Sequence, residues 1–104
     1  MDLYLIARLR VKYGHVAEAA EQLAKFVPIL KPYGWTLLGA FHPVIGDFSE
    51  ITDIWAIPSA DAVTRVLEAA GRGEIPGFSE VFLALREYVE SETLSVCTTL
   101  PFSP

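Results

Sequence analysis

The sequence predicts an α+β domain in which an antiparallel sheet carries helices on one of its faces. Three observations lead there. The chain begins and ends in stretches of period-two alternation, Leu3–Lys12 and Thr93–Leu100, as half-buried strands require. Between them lie segments whose apolar residues recur at helical spacing. At the centre, Trp35–Ile57 holds two apolar runs, Trp35–Phe41 and Phe48–Ile57, around the turn-forming His42-Pro43 and Gly46-Asp47, the pattern of a long β-hairpin.

In Leu3–Lys12, Leu3, Leu5, Ala7, Leu9 and Val11 fall on one side, and Tyr4, Ile6, Arg8 and Arg10 on the other. Gly14 ends the strand. A helix is expected over His15–Pro32, where Val16, Ala20, Leu23, Ala24, Val27 and Leu30 form one apolar stripe. Glu18 and Glu21 near its start and Lys31 at its end complement the helix dipole. Pro28 removes a backbone donor and is expected to kink the last turns. Tyr33-Gly34 leads into the hairpin. After Ile57-Pro58, Ser59 is the expected N-cap of a helix through Ala70, striped by Ala60, Val63, Val66, Leu67 and Ala70. Beyond Pro76-Gly77, the spacing of Phe78, Val81, Phe82, Leu85, Tyr88 and Val89 predicts a third helix ending near Glu90. In Thr93–Leu100, Leu94, Val96, Thr98 and Leu100 alternate with Thr93, Ser95, Cys97 and Thr99, and Pro101 stops the strand.

The element order is therefore β-α-β-β-α(α)-β. Two crossovers and one hairpin give the ferredoxin-like, split βαβ arrangement with strand order 4-1-3-2. No linker, repeat or low-complexity segment interrupts the 104 residues, so residues 1–104 are expected to form one domain.

Composition excludes several classes of function. With 52% hydrophobic and 20% charged residues the chain is not a disordered one. No run approaches the ~20 apolar residues of a membrane span, and the N-terminus enters a strand without the basic and apolar regions of a signal peptide. Neither a membrane nor secretion is expected. Cys97 is the one cysteine, which rules out an internal disulfide and suits a reducing cytoplasm. A net charge of −5 with scattered Lys and Arg argues against nucleic acid. No glycine-rich phosphate loop follows a strand. The two histidines, without a third ligand nearby, make no zinc signature. No cofactor and no metal are expected.

A four-stranded sheet has two faces, and these helices cover one. Leu5 and Leu9, Ile54 and Ala56, and Leu94 and Val96 are assigned to the helix side. The opposite face then carries Tyr4, Ile6, Arg8 and Arg10, then Leu38, Ala40 and His42, then Ile51, Asp53 and Trp55, and finally Ser95 and Cys97. It would expose on the order of several hundred Å² of apolar surface, more than a soluble monomer usually shows. A second copy placed sheet against sheet would cover it, so a homodimer is expected. The space between the sheets would be apolar with a few polar groups, as small-molecule sites are.

Within that space Arg8 and Asp53 are the most informative pair, because the strand order sets their strands side by side. They read either as a buried ion pair or as a polar anchor and proton-transfer group. His42, at the end of its strand, is a candidate general base or a turn residue. Arg10 could take an anionic group or lie in solvent. Tyr4, Leu38 and Trp55 are candidate walls of a substrate pocket, to which Trp35 could add, or else core and interface residues. His15, at a helix start, and Cys97, without a basic neighbour, read as structural.

Several segments together resemble the NIPSNAP family: Gly14 opening the first helix, Leu37-Leu38-Gly39 followed by Ile45-Gly46, Ile54-Trp55-Ala56, and Phe78–Ser91 before a last strand. The likeness covers nearly the whole chain. It implies a dimeric α+β barrel, a superfamily that includes cofactor-free monooxygenases, polyketide cyclases, isomerases, dehydratases and haem-handling enzymes. The family often has a histidine two residues before the tryptophan, where this chain has Asp53. The function expected is a barrel that binds a small apolar organic compound, with cofactor-independent chemistry of oxygenase, isomerase or cyclase type. The alternative is a non-catalytic binding or protein-interaction module of the same fold.

Overall fold

The computed structural model describes residues 2–104. Its elements follow the alternations of the sequence. Strand β1 (Leu3–Val11) buries Leu5, Ala7, Leu9 and Val11. Helix α1 (Val16–Leu30) buries Ala19, Phe26 and Leu30 and has His15 at its N-cap. Pro28 does not end it: the helix runs on to Leu30 and tightens into one 3₁₀ turn, Lys31–Tyr33. The chain then reverses at Gly34, whose φ of +83° favours glycine. Strands β2 (Thr36–Phe41) and β3 (Glu50–Ile57) form the hairpin. Helices α2 (Ala62–Gly71) and α3 (Phe78–Arg86) follow, and β4 (Val89–Thr98) closes the sheet.

The boundaries of α2, α3 and β4 differ from expectation. Asp61, not Ser59, stands at the N-cap of α2, and the Ser59 hydroxyl donates to its carboxylate at 2.6 Å. Helix α3 ends at Arg86, because Val89 leaves the helix to pair with Val11 of β1. A shift in register beside Arg10 allows that pairing, and β4 thereby starts four residues before Thr93 and includes Glu92, which pairs with Leu9.

The sheet order is β2-β3-β1-β4, with every neighbour antiparallel, the expected 4-1-3-2 read from the other edge. This is the ferredoxin-like α+β fold, with the helices on one face. Aromatic contacts tie the helical layer together, with the Phe26 ring of α1 lying 5.0 Å from that of Phe78 in α3.

The faces of β3 are the reverse of the expected ones. Ile51, Asp53, Trp55 and Ile57 point to the helices and are buried, whereas Ile54 and Ala56 lie half-buried on the open face. Both sets are apolar, so alternation defines the sets without ranking them. The set with Trp55 and two isoleucines is larger and goes under the helices, where burial stabilises most. In β2 a bulge at Leu38 resets the alternation, so that Leu37 and Ala40 both share the helix side with Trp55 and Asp53. Phe41 folds back over Gly39, where a Cβ would stand 2.7 Å from the Phe41 ring. Glycine is what that bulge tolerates.

Candidate functional site

Across the middle of the sheet, on the helix side, runs the row Ala40, Asp53, Ala7, Leu94. Asp53 thus has an alanine on each neighbouring strand. Methyl groups are too short to reach the helices, and a hollow lies on each side of the carboxyl. The first, of about 100 Å³, extends over Ala7 beneath Phe26, Phe78 and Leu85, with Trp35 and Trp55 also in its wall. The second, of about 160 Å³, lies over Ala40 beneath Ala20 and Ala24 of α1, again small residues. Leu23, Asp53 and Trp55 belong to both walls. The first hollow reaches the surface between α2, α3 and the β4 edge, where Leu67, Phe82 and Leu94 are 49%, 43% and 41% exposed.

Asp53 is 5% exposed and, among the described residues, the one charged side chain in the core. Trp55 Nε1 donates to its Oδ2 at 3.1 Å, while Oδ1 is buried without a partner. Burial pushes the Asp53 carboxyl above the usual aspartate range, with the Trp55 donor and a backbone N–H partly opposing. Trp35 Nε1 is likewise buried and unpartnered, and its ring meets that of Trp55 at 6.0 Å, edge to face. At the mouth stands Glu92, in contact with solvent, whose carboxyl is also raised, first by partial desolvation and then by the charge of Asp53. The cavity therefore offers apolar and aromatic walls, an orphaned acceptor, an orphaned donor and a second carboxyl at its entrance. That set can hold a compact organic molecule with a polar end and exchange a proton with it.

The other sequence-derived candidates lie elsewhere. Arg8 pairs with Thr52 and Thr93 on the open face, whereas Asp53 opposes Ala7 on the helix face, so the sheet separates the two and they form no ion pair. Tyr4 is on the open face beside Ala56 and Cys97. Leu38 sits in the β2 bulge, 56% exposed. His42, in the form protonated on Nε2, donates to the Phe48 carbonyl at 2.8 Å and pins the hairpin loop. Arg10 pairs with Asp47 at 2.6 Å and ties β1 to the same loop. There the Ser49 backbone N–H, followed by Arg10, holds the Asp47 carboxyl below its usual range. His15 stacks on Tyr88 and pairs with Glu18 at 2.6 Å. Of these residues Asp53, Trp55 and Trp35 are the ones brought together. Glu92 escaped sequence reading because the last strand was expected to begin one residue after it. Its signal was the alternation Glu92, Leu94, Val96. Among the described residues no group of three His, Cys, Asp or Glu side chains is placed to hold a metal ion, and no helix is long and apolar enough to cross a membrane.

Over nearly its whole length the chain superposes on a NIPSNAP family protein of unknown function from Agrobacterium tumefaciens, with 26% identity, a TM-score of 0.79, and 99% of this chain and 92% of that one covered. An uncharacterized NIPSNAP domain protein from Burkholderia xenovorans is similar at 17% identity and TM-score 0.77, with 98% of each chain covered. SnoaB, a cofactor-independent oxygenase from Streptomyces nogalater, shares the fold at 18% identity and TM-score 0.70, with 99% and 97% covered. No curated protein matches the sequence. The fold is thus of the dimeric α+β barrel type. The NIPSNAP family model matches residues 4–104, and the chain belongs to the NIPSNAP family.

Proposed function

We propose that this domain binds a compact, largely apolar organic molecule between its sheet and its helices and carries out cofactor-independent proton-transfer chemistry on it. One observation carries the reading. A carboxyl stands in the wall of an apolar cavity with one oxygen unpartnered, in a core that among the described residues holds no other charge. Burying an unsatisfied polar group costs about 1–3 kcal/mol, a cost that a purely structural core avoids by placing an apolar residue there. Proteins keep such groups where a ligand satisfies them. Burial raises the affinity of Asp53 for a proton, which suits the carboxyl to general acid–base work. The fold shared with a cofactor-independent oxygenase supports the same reading.

We place the domain in a cytoplasmic homodimer. Tyr4, Ile6, Ile54 and Ala56 form a half-buried apolar centre on the open face, with Arg8 and the Thr52 and Thr93 hydroxyls around it, and a second sheet would cover them. The hairpin loop favours a second reading. Val44 and Ile45 are 88% and 94% exposed there, as in a module that docks on a partner protein. The deciding experiment is a melting-temperature screen with monocyclic aromatic compounds, since an apolar cavity of comparable size takes up benzene. A rise in Tm that disappears in Asp53→Asn supports the ligand site. No rise with any compound would leave the interaction module.

A further inference from the structure

The charge of the ligand is written into the cavity walls. Among the described residues lining the first hollow there is no Lys, Arg or His, while two carboxyls, Asp53 inside and Glu92 at the mouth, border it. An anionic ligand would meet two like charges and no counterion in an environment of low dielectric, which disfavours it. The aromatic residues Phe26, Trp35, Trp55, Phe78 and Phe82 also contribute to this wall. Tryptophan and phenylalanine faces attract organic cations, most strongly where water is excluded. Asp53 Oδ1 is buried and unpartnered, which is where a cationic donor would complete the carboxylate's hydrogen bonds. Glu92 at the entrance and a chain charge of −5 favour the approach of a cation. The second unpartnered group, Trp35 Nε1, is a donor and asks for an oxygen elsewhere on the same ligand.

On these grounds, and resting on the ligand-site reading above, we infer that the cavity takes a small aromatic amine in its ammonium form, with the ammonium on Asp53 and an oxygen acceptor on Trp35 Nε1. Three compounds of nearly one shape separate the charges: tyramine is a cation, 4-(2-hydroxyethyl)phenol is neutral, and 4-hydroxyphenylacetate is an anion. A charged hydrogen bond is worth about 1.5–3 kcal/mol, so calorimetry at pH 7 is expected to show tyramine bound at least about tenfold more tightly than the neutral compound. The anion should bind weakest of the three. Asp53→Asn should erase the preference for tyramine, and Glu92→Gln, at the exposed rim, should reduce it while the fold is kept. Equal or tighter binding of the neutral compound would overturn the inference and leave the ligand site standing. So would a preference for tyramine that survives in both variants. If none of the three binds while phenol does, the inference falls alone. If phenol fails too, the ligand-site reading falls with it.

Discussion

Asp53 and Trp55 stand two residues apart on the same face of β3, and the indole N–H of one is the side-chain donor to the carboxyl of the other at 3.1 Å. Strand periodicity makes the contact, since residues i and i+2 share a face. It secures one carboxyl oxygen while the other stays buried without a partner, so the strand itself sets how the acid is held.

This pair has a consequence for stability. Because burial raises the Asp53 pKa, the folded chain holds that proton more tightly than the unfolded chain, whose carboxyl titrates near 3.8. The wild type therefore loses stability as pH rises from about that value through the folded one. Asp53→Asn keeps an acceptor for Trp55 and does not titrate. We expect it to be more stable than wild type at pH 7, with the gain vanishing below the unfolded carboxyl range. Removing the Asp53 charge also relaxes Glu92, in the same direction. Urea unfolding at several pH values checks this, and a wild type more stable than the variant at pH 7 would contradict it.

Trp55→Phe takes the indole donor from Asp53 and keeps an aromatic ring. The Asp53 pKa should rise further, because the group that opposed desolvation is gone. Carbon-detected NMR titration of the carboxyl reads it directly, and an unchanged midpoint would mean the 3.1 Å bond contributes nothing in solution.

Ala7 is the residue that opens the first hollow beside Asp53. Ala7→Leu should fill it and abolish ligand-induced shifts in Tm. Its stability cost should stay below the about 1–3 kcal/mol that overpacking exacts in a filled core, since the added carbons enter empty space. A full overpacking penalty with ligand binding retained would show that the hollow is not where the ligand goes.

Arg8 and Asp53 lie on opposite faces of the sheet, so a double-mutant cycle between Arg8→Met and Asp53→Asn should give a coupling energy under about 0.5 kcal/mol. Strong coupling would require the two side chains to meet, which the pairing of Arg8 with Thr52 forbids.

For the assembly we expect sedimentation near twice 11.5 kDa. Ile6→Asp or Ile54→Asp, on paired positions of the open face, should shift it to the monomer with the fold intact. Trp55→Asp should instead unfold the chain, because that ring is 4% exposed in the core. A wild type that sediments as a monomer at micromolar concentration would remove the homodimer.

The order of elements and the helix face of β1 were legible in the sequence, because Leu5, Ala7, Leu9 and Val11 alternate with residues that include two arginines. Polarity there labels the inner side without help from other strands. Strand β3 carries no such label. Ile51, Trp55 and Ile57 against Ile54 and Ala56 is a contest between two apolar sets, decided by which one fills the volume beneath α1 and α3. That decision placed Asp53 under the helices rather than on the open face, and it separated Asp53 from Arg8. The bulge at Leu38 turned Ala40 toward Asp53, and the pairing of Leu9 with Glu92 set Glu92 on the helix side at the cavity mouth. Alternation is a local property and reads from the chain. Register, and the hollow left where two alanines flank one acid, arise between strands far apart in sequence, so only the folded sheet sets them.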